Sequence, residues 1–256
     1  MKIVYHKEFE NSNYASNPAA SEGRIRCILD ELEKYSEYEF VKPTPASEED
    51  LKLVHATSHI EKVKSNDLLF RIASLAAGGA IRAAEIAYEG NPAFGLIRPP
   101  GHHASPSSAW GFCYFNNMVI ALKKLMKDGK IENAYILDFD LHTGDGNINA
   151  LGNNPEVKIL NPRSKEREDY LNEVSKSFEE SSDFDIMGVS AGFDEHVDDW
   201  GGKLTTSDYR KLGSMVQDFA EKRCNARRFA VLEGGYNHKV LGKNVASFLE
   251  GFRDSE

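Results

Sequence analysis

The chain has 256 residues, 41% of them hydrophobic, which is enough for a full core and of a size for one α/β domain. A net charge of −9 leaves no basic footprint for nucleic acid and favours cationic partners, and the longest apolar stretches fall short of the ~20 residues a membrane span needs. Three widely spaced cysteines, Cys27, Cys113 and Cys224, argue against a disulfide framework or a cysteine zinc knuckle and fit a reducing cytoplasm.

Residues 2–5 read as a first strand, not a signal peptide, because no charged region precedes a long apolar run and no small-residue cleavage site follows; the mature protein is expected to start here. Ile25, Ile28, Leu29 and Leu32 recur at helical spacing behind Ser21 as N-cap, predicting a helix over 21–35. Ser47 before Glu48, Glu49 and Asp50 starts a short second helix. The Ala-rich segment 69–88 predicts a helix in which Gly78 and Gly79 permit close approach to a sheet. A strand at 94–97, a helix at 116–127 ended by Gly129, and strands at 134–139 and 157–160 follow. Then come a helix at 167–179, a strand at 186–190, a helix at 206–222, a strand at 229–232 and a helix at 239–252. Such alternation implies βαβ units and a mainly parallel sheet between helical layers.

Four of the six strands run straight into polar clusters: Arg98-Pro-Pro-Gly-His-His-Ala104, Asp138-Phe-Asp-Leu-His142, Gly192-Phe-Asp194 and Glu233-Gly-Gly-Tyr236. Ligand sites of open parallel sheets lie at the carboxyl ends of the strands, so the four are expected to converge. Asp140 and His142, two apart on an extended strand end, point to one side. With Asp194 they make a one-nitrogen, two-oxygen set with a coordination position left open, as in catalytic zinc sites, although Fe, Co or Mn suits the same donors. His102 and His103 can act near neutral pH, Asp138 and Asp145 are close enough to orient one imidazole each, and Tyr236 beside glycines can donate its hydroxyl to a developing oxyanion. The chemistry implied is metal-assisted hydrolysis of an amide.

These clusters, together with Gly111-Phe-Cys-Tyr-Phe-Asn-Asn117, Gly144-Asp-Gly146 and Ser190-Ala-Gly-Phe-Asp194, resemble the histone deacetylase and acetylpolyamine amidohydrolase family, in order and from about residue 17 to the C-terminal helix. The resemblance implies a three-layer α/β/α, arginase/deacetylase-like fold, with residues 1–256 forming one deacetylase-like catalytic domain. It implies zinc on Asp140, His142 and Asp194, His103 as general base and acid with Asp145 behind it, and His102 as an electrostatic partner oriented by Asp138. Tyr236 becomes the oxyanion donor, Phe112 an aromatic wall of the acyl-lysine channel with Gly111 and Gly235 beside the substrate, and Arg24 a member of an internal acetate cavity. A structural K⁺ near Asp138, Asp140 and His142 is implied as well.

The sequence departs from the family in two places. Thr143 stands where a second histidine is usual. The connection after 157–160 passes through Asn161-Pro-Arg-Ser164 directly into the next helix, without the long loop that normally faces Phe112. The channel is therefore expected to be short or open, with completion by a second subunit of a homo-oligomer as the alternative. His6, His55, His59 and His238 read as structural or solvated, His196, two beyond Asp194, as a loop residue that could also be drawn toward the site, and 198–202 as a surface turn, with Asp199 at a position that could also shape the loop under the metal. The function expected is removal of acetyl or a related acyl group from a small acylated amine or an acetyl-lysine peptide, with cationic substrates favoured. A binuclear manganese ureohydrolase of the arginase type and a non-catalytic module that binds acylated ligands are the alternatives.

Overall fold

A computed structural model describes residues 1–253. Its frame is one sheet of seven parallel strands: β1 (Lys2–Val4), β2 (Glu39–Val41), β3 (Ala93–Gly95), β4 (Ala134–Asp138), β5 (Val157–Leu160), β6 (Met187–Ala191) and β7 (Arg228–Leu232). They lie in the order β2-β1-β3-β7-β6-β4-β5. Every residue of β3, β4, β6 and β7 is buried, as strands covered on both faces must be, and these four lie side by side.

Nine α-helices connect the described strands: α1 (Arg24–Leu32), α2 (Glu48–Leu51), α3 (Thr57–Lys64), α4 (Asp67–Tyr88), α5 (Asn117–Lys127), α6 (Asp145–Leu151), α7 (Arg167–Glu179), α8 (Thr206–Arg223) and α9 (His238–Phe252). Helices α4 and α5 pack on each other and on the sheet, while α1, α8 and α9 pack among themselves, giving a three-layer α/β/α arrangement. Close packing of α4 rests on its two glycines. A Cβ at Gly78 would collide with the backbone of Thr44 and Ala46, and one at Gly79 would stand 2.6 Å from Ile97 Cγ2. Ser47 caps α2 in a reciprocal box with Asp50.

Three elements go beyond the sequence expectation. β2 is a three-residue edge strand paired only with β1, and α3 and α6 are short helices. The first long helix starts later than expected: Gly23, at φ 79°, is its N-cap, and Ser21 instead closes a preceding 3₁₀ turn at Pro18–Ala20. Among the described residues, no helix is long and apolar enough to cross a membrane.

Candidate functional site

The carboxyl ends of β3, β4, β6 and β7 bring all four polar clusters into one place. Asp138, the last residue of β4, is fully buried. Its Oδ2 accepts from His102 Nδ1 and Asn147 Nδ2, each at 3.1 Å, and its Oδ1 accepts from Asp140 N at 3.3 Å. Asp145, the first residue of α6, meets His103 Nδ1 with Oδ1 at 2.6 Å. The two imidazoles are tilted neighbours with centroids 4.0 Å apart, and each has its own carboxylate.

Asp140, His142 and Asp194 form one of two groups among the described residues whose donor atoms all lie within 4.8 Å of one another. His142 Nδ1 is 3.3 Å from both Asp140 Oδ1 and Asp194 Oδ2. A tetrahedral ion with bonds of about 2.0–2.1 Å separates its ligands by about 3.3 Å, so the donors already stand at coordination spacing. Asp194 Oδ2 is buried and has no hydrogen-bond partner, which is unfavourable unless a cation or proton meets it. Backbone groups hold the remaining lone pairs: Gly234 N donates to Asp140 Oδ2 at 2.8 Å and Leu141 N to Asp194 Oδ1 at 3.1 Å. Gly234 has to be glycine, since a Cβ there would stand 2.6 Å from Asp140 Oδ2 and 2.7 Å from Asp194 Oδ2.

The second group, His102, Cys113 and Glu233, is fully buried. Its atoms brace the tandem-histidine loop: Glu233 Oε2 accepts from Gly101 N at 2.7 Å and His102 N at 3.2 Å, and His103 N points to Cys113 Sγ at 3.4 Å.

Local fields follow from this crowding of carboxylates. Burial and the neighbouring Asp140 carboxylate raise Asp194 to about 6. Burial raises Glu233 to about 7 against the opposing pull of His102. The Asp140 carboxylate hydrogen-bonded to its Nδ1 and the Asp194 carboxylate beside it lift His142 to about 10. Burial tends to deprotonate His102, but Asp140 and Asp138 outweigh it and hold the imidazole well above its usual range. Burial and the adjacent His102 bring His103 down to about 4, against the pull of Asp145.

Tyr236 arrives on the loop after β7. Its N–H and that of Asn237 both donate to Asp199 Oδ2 at 2.8 Å, so Asp199 anchors this loop from the turn after β6. The Tyr236 ring stacks on Trp200 at 4.0 Å and meets Phe112 edge-on at 6.0 Å. Arg24 lies fully buried behind it, donating to Gly235 O at 2.8 Å and Glu233 O at 2.6 Å. A pocket of about 270 Å³ opens between these groups, walled by His102, His103, His142 and Tyr236 together with Trp110, Gly111, Phe112 and Trp200. Gly235, expected beside the substrate, is not in this wall; Gly234 is, while Gly235 turns at φ 108° against Leu241 and Phe193. A wider groove of about 400 Å³ between α7 and α8 shares no residue with it.

The two tryptophans are what sequence reasoning missed. Trp200 was expected in a surface turn, and Trp110 carried no expectation, yet both line the pocket while remaining 52% and 54% exposed. The available signal was that the chain's two tryptophans both adjoin a glycine next to a polar cluster. The remaining histidines are tethered as structural groups: His6 to Glu8 N, His55 to Ser105 O and Asn116 N, His59 to Tyr114 O, His196 to Thr206, and His238 to Ser21.

The fold and the converging strand ends place the molecule in the arginase/deacetylase class. The crystal structure of an HDA15 HD domain superposes with a TM-score of 0.84 at 21% identity, covering 98% of this chain and 88% of that one. Sequence comparison narrows the class: the histone deacetylase domain matches residues 18–162 and 161–252, and the chain belongs to that family. A probable deacetylase of Archaeoglobus fulgidus is 31% identical, with 92% of this chain and 81% of the relative covered. The histone deacetylase-like amidohydrolase of Pseudomonas aeruginosa is 26% identical over 95% of this chain and 79% of its own. The two matched segments meet at residues 161–162, in the short connection between β5 and α7.

Proposed function

We propose that residues 1–256 act as a single deacetylase-like catalytic domain, a metal-dependent amidohydrolase that removes acetyl or related acyl groups from acylated lysine or polyamine-like amines. The observation that carries this reading is the orphaned Asp194 Oδ2, held 3.3 Å from Nδ1 of His142, whose ring lines the same pocket as His103 and Tyr236. Asp140, His142 and Asp194 would hold the metal, zinc by preference, with Fe, Co or Mn acceptable to the same donors. When bound, it supplies Lewis-acid polarisation of the scissile carbonyl. His103, with Nδ1 committed to Asp145, has Nε2 free to take a proton from the attacking water and return it to the leaving amine. His102, held by Asp138, contributes positive charge beside it. The Tyr236 hydroxyl donates to the oxyanion that develops on the carbonyl. A monovalent cation near Asp138, Asp140 and His142 and an acetate cavity at Arg24 belong to the same reading.

Substrate choice follows from the walls. With Trp110 and Trp200 at the mouth and a short β5–α7 connection, the pocket suits small acylated amines as well as acetyl-lysine peptides, without a second subunit to complete it. The net charge of −9 favours cationic ones through steering that salt weakens. The free cysteines support a reducing, cytoplasmic setting. The test is kcat/KM for acetylated polyamines, free acetyl-lysine, acetyl-lysine peptides and longer acyl groups at low and high salt, with bound metal counted per chain. One transition metal and turnover of several small acylated amines are expected. Two metals per chain would point to the ureohydrolase alternative, and binding without turnover to a recognition module.

A further inference from the structure

Trp110 is 54% exposed, yet two of its contacts run inward. Its indole Nε1–H donates to Asp145 Oδ2 at 2.8 Å, while Asp145 Oδ1 meets His103 Nδ1 at 2.6 Å. Its ring lies over His103, with centroids 3.9 Å apart and planes 31° from parallel. The edge of the same imidazole lies close against Gly111, where a Cβ would collide with His103 Cδ2. One carboxylate is thus held through both oxygens, and one imidazole through its face, its edge and its Nδ1.

Asp145 needs such a hold. Its side chain is 38% exposed, whereas Asp138, which serves His102, is fully buried and takes three donors from the protein. A half-exposed carboxylate anchored through one oxygen can turn about Cβ–Cγ and trade His103 for water, since each of its oxygens is an equivalent acceptor. A donor fixed on Oδ2 removes that exchange.

We propose that Trp110 is a positioning residue: its N–H locks the Asp145 carboxylate and its ring covers His103, so that Nε2 is presented in one orientation. This rests on the amide-hydrolase reading, in which His103 moves the proton. Nothing in the role requires Trp110 to touch the reacting atoms, although as part of the mouth it can also touch the substrate.

Trp110→Phe keeps a ring and removes the donor. It should lower kcat about three- to tenfold, the effect of one ordinary hydrogen bond, with KM within about twofold. Trp110→Ala, which removes the ring as well, should lower kcat further and raise KM. In an Asp145→Asn background Trp110→Phe should change kcat less than about twofold, because the route through the carboxylate is already broken and the phenyl ring still covers His103. Full multiplication of the two losses, or a Trp110→Phe enzyme equal to the parent, would overturn the proposal. A second measurement does not depend on turnover. The chain's two tryptophans give two indole N–H resonances, and the one missing in Trp110→Phe should shift on Asp145→Asn while the other stays in place. An unmoved Trp110 resonance refutes the contact. A chain inert toward every acylated amine would defeat the hydrolase reading instead, and the resonance alone would then decide whether Trp110 holds Asp145.

Discussion

Asp194 and His103 separate two tasks, holding an ion and moving a proton, and single substitutions should separate them too. Asp194→Ala removes a ligand whose Oδ2 has no other partner, leaving two donors, too few to retain an ion at an open site. Elemental analysis of the purified variant should find the metal gone, and full occupancy would contradict the ligand assignment. His103→Ala should retain the metal and lose about 10²–10⁴ in kcat, the usual contribution of a general base. His102→Ala, also metal-replete, should lose less, because water can partly replace a neighbouring charge. Equal losses would remove the distinction between the two histidines. These residues were legible in the sequence for a physical reason: ionisable groups at the end of an apolar strand have no packing role to explain them. Trp110 and Trp200 were not, because an aromatic residue beside glycine in a polar loop resembles a turn until its stacking partner is known.

At the level of elements, the junction of α2, α3 and α5 depends on a neutral histidine. His55 Nδ1 faces Ser105 O at 3.2 Å, so it carries the proton, and Nε2 accepts from Asn116 N at 2.9 Å, next to the start of α5. Burial and neighbouring His59 lower His55 to about 4, below the ordinary value near 6.5 of the unfolded chain. Between those values the unfolded state binds more protons than the folded one, so stability is complete above about pH 6.5 and falls as pH drops toward 4, by at most about 3 kcal/mol. Thermal melts of the parent and His55→Gln across this window should converge at low pH as the parent alone loses stability; parallel curves would show that His55 does not titrate as described. Elements differed in legibility as residues did. The buried strands declare themselves by continuous apolar runs. β2 has two exposed residues and one partner strand, α3 has no side-chain cap, and α6 opens with Asp145-Gly-Asn, so none of them carries a strong periodic signal.

For the whole molecule, an ion that binds only the folded chain stabilises it by mass action. At about 100 times its dissociation constant the gain is ~2.7 kcal/mol, which for a chain of this size moves the melting temperature on the order of 5–10 °C. Treatment with a chelator followed by differential scanning calorimetry should show that decrease, and adding the metal back should reverse it. An unchanged melting temperature would mean that the carboxylates at the strand ends are equally content without an ion.

Strand β7 lies between β3 and β6, pairing Phe94 with Ala230 on one side and Val189 with Ala230 on the other. Remove it from the order and what remains is two three-stranded sets, β2-β1-β3 and β6-β4-β5, each made of consecutive segments of chain. During synthesis those sets can pair early, each leaving an unpaired edge where β7 will later lie. The tandem histidines follow one set and the metal ligands the other, so a nascent chain holds its reactive parts on separate pieces. The sheet becomes continuous only when β7 pairs with β3 on one side and β6 on the other, and until then both open edges leave the chain exposed to pairing with a neighbour.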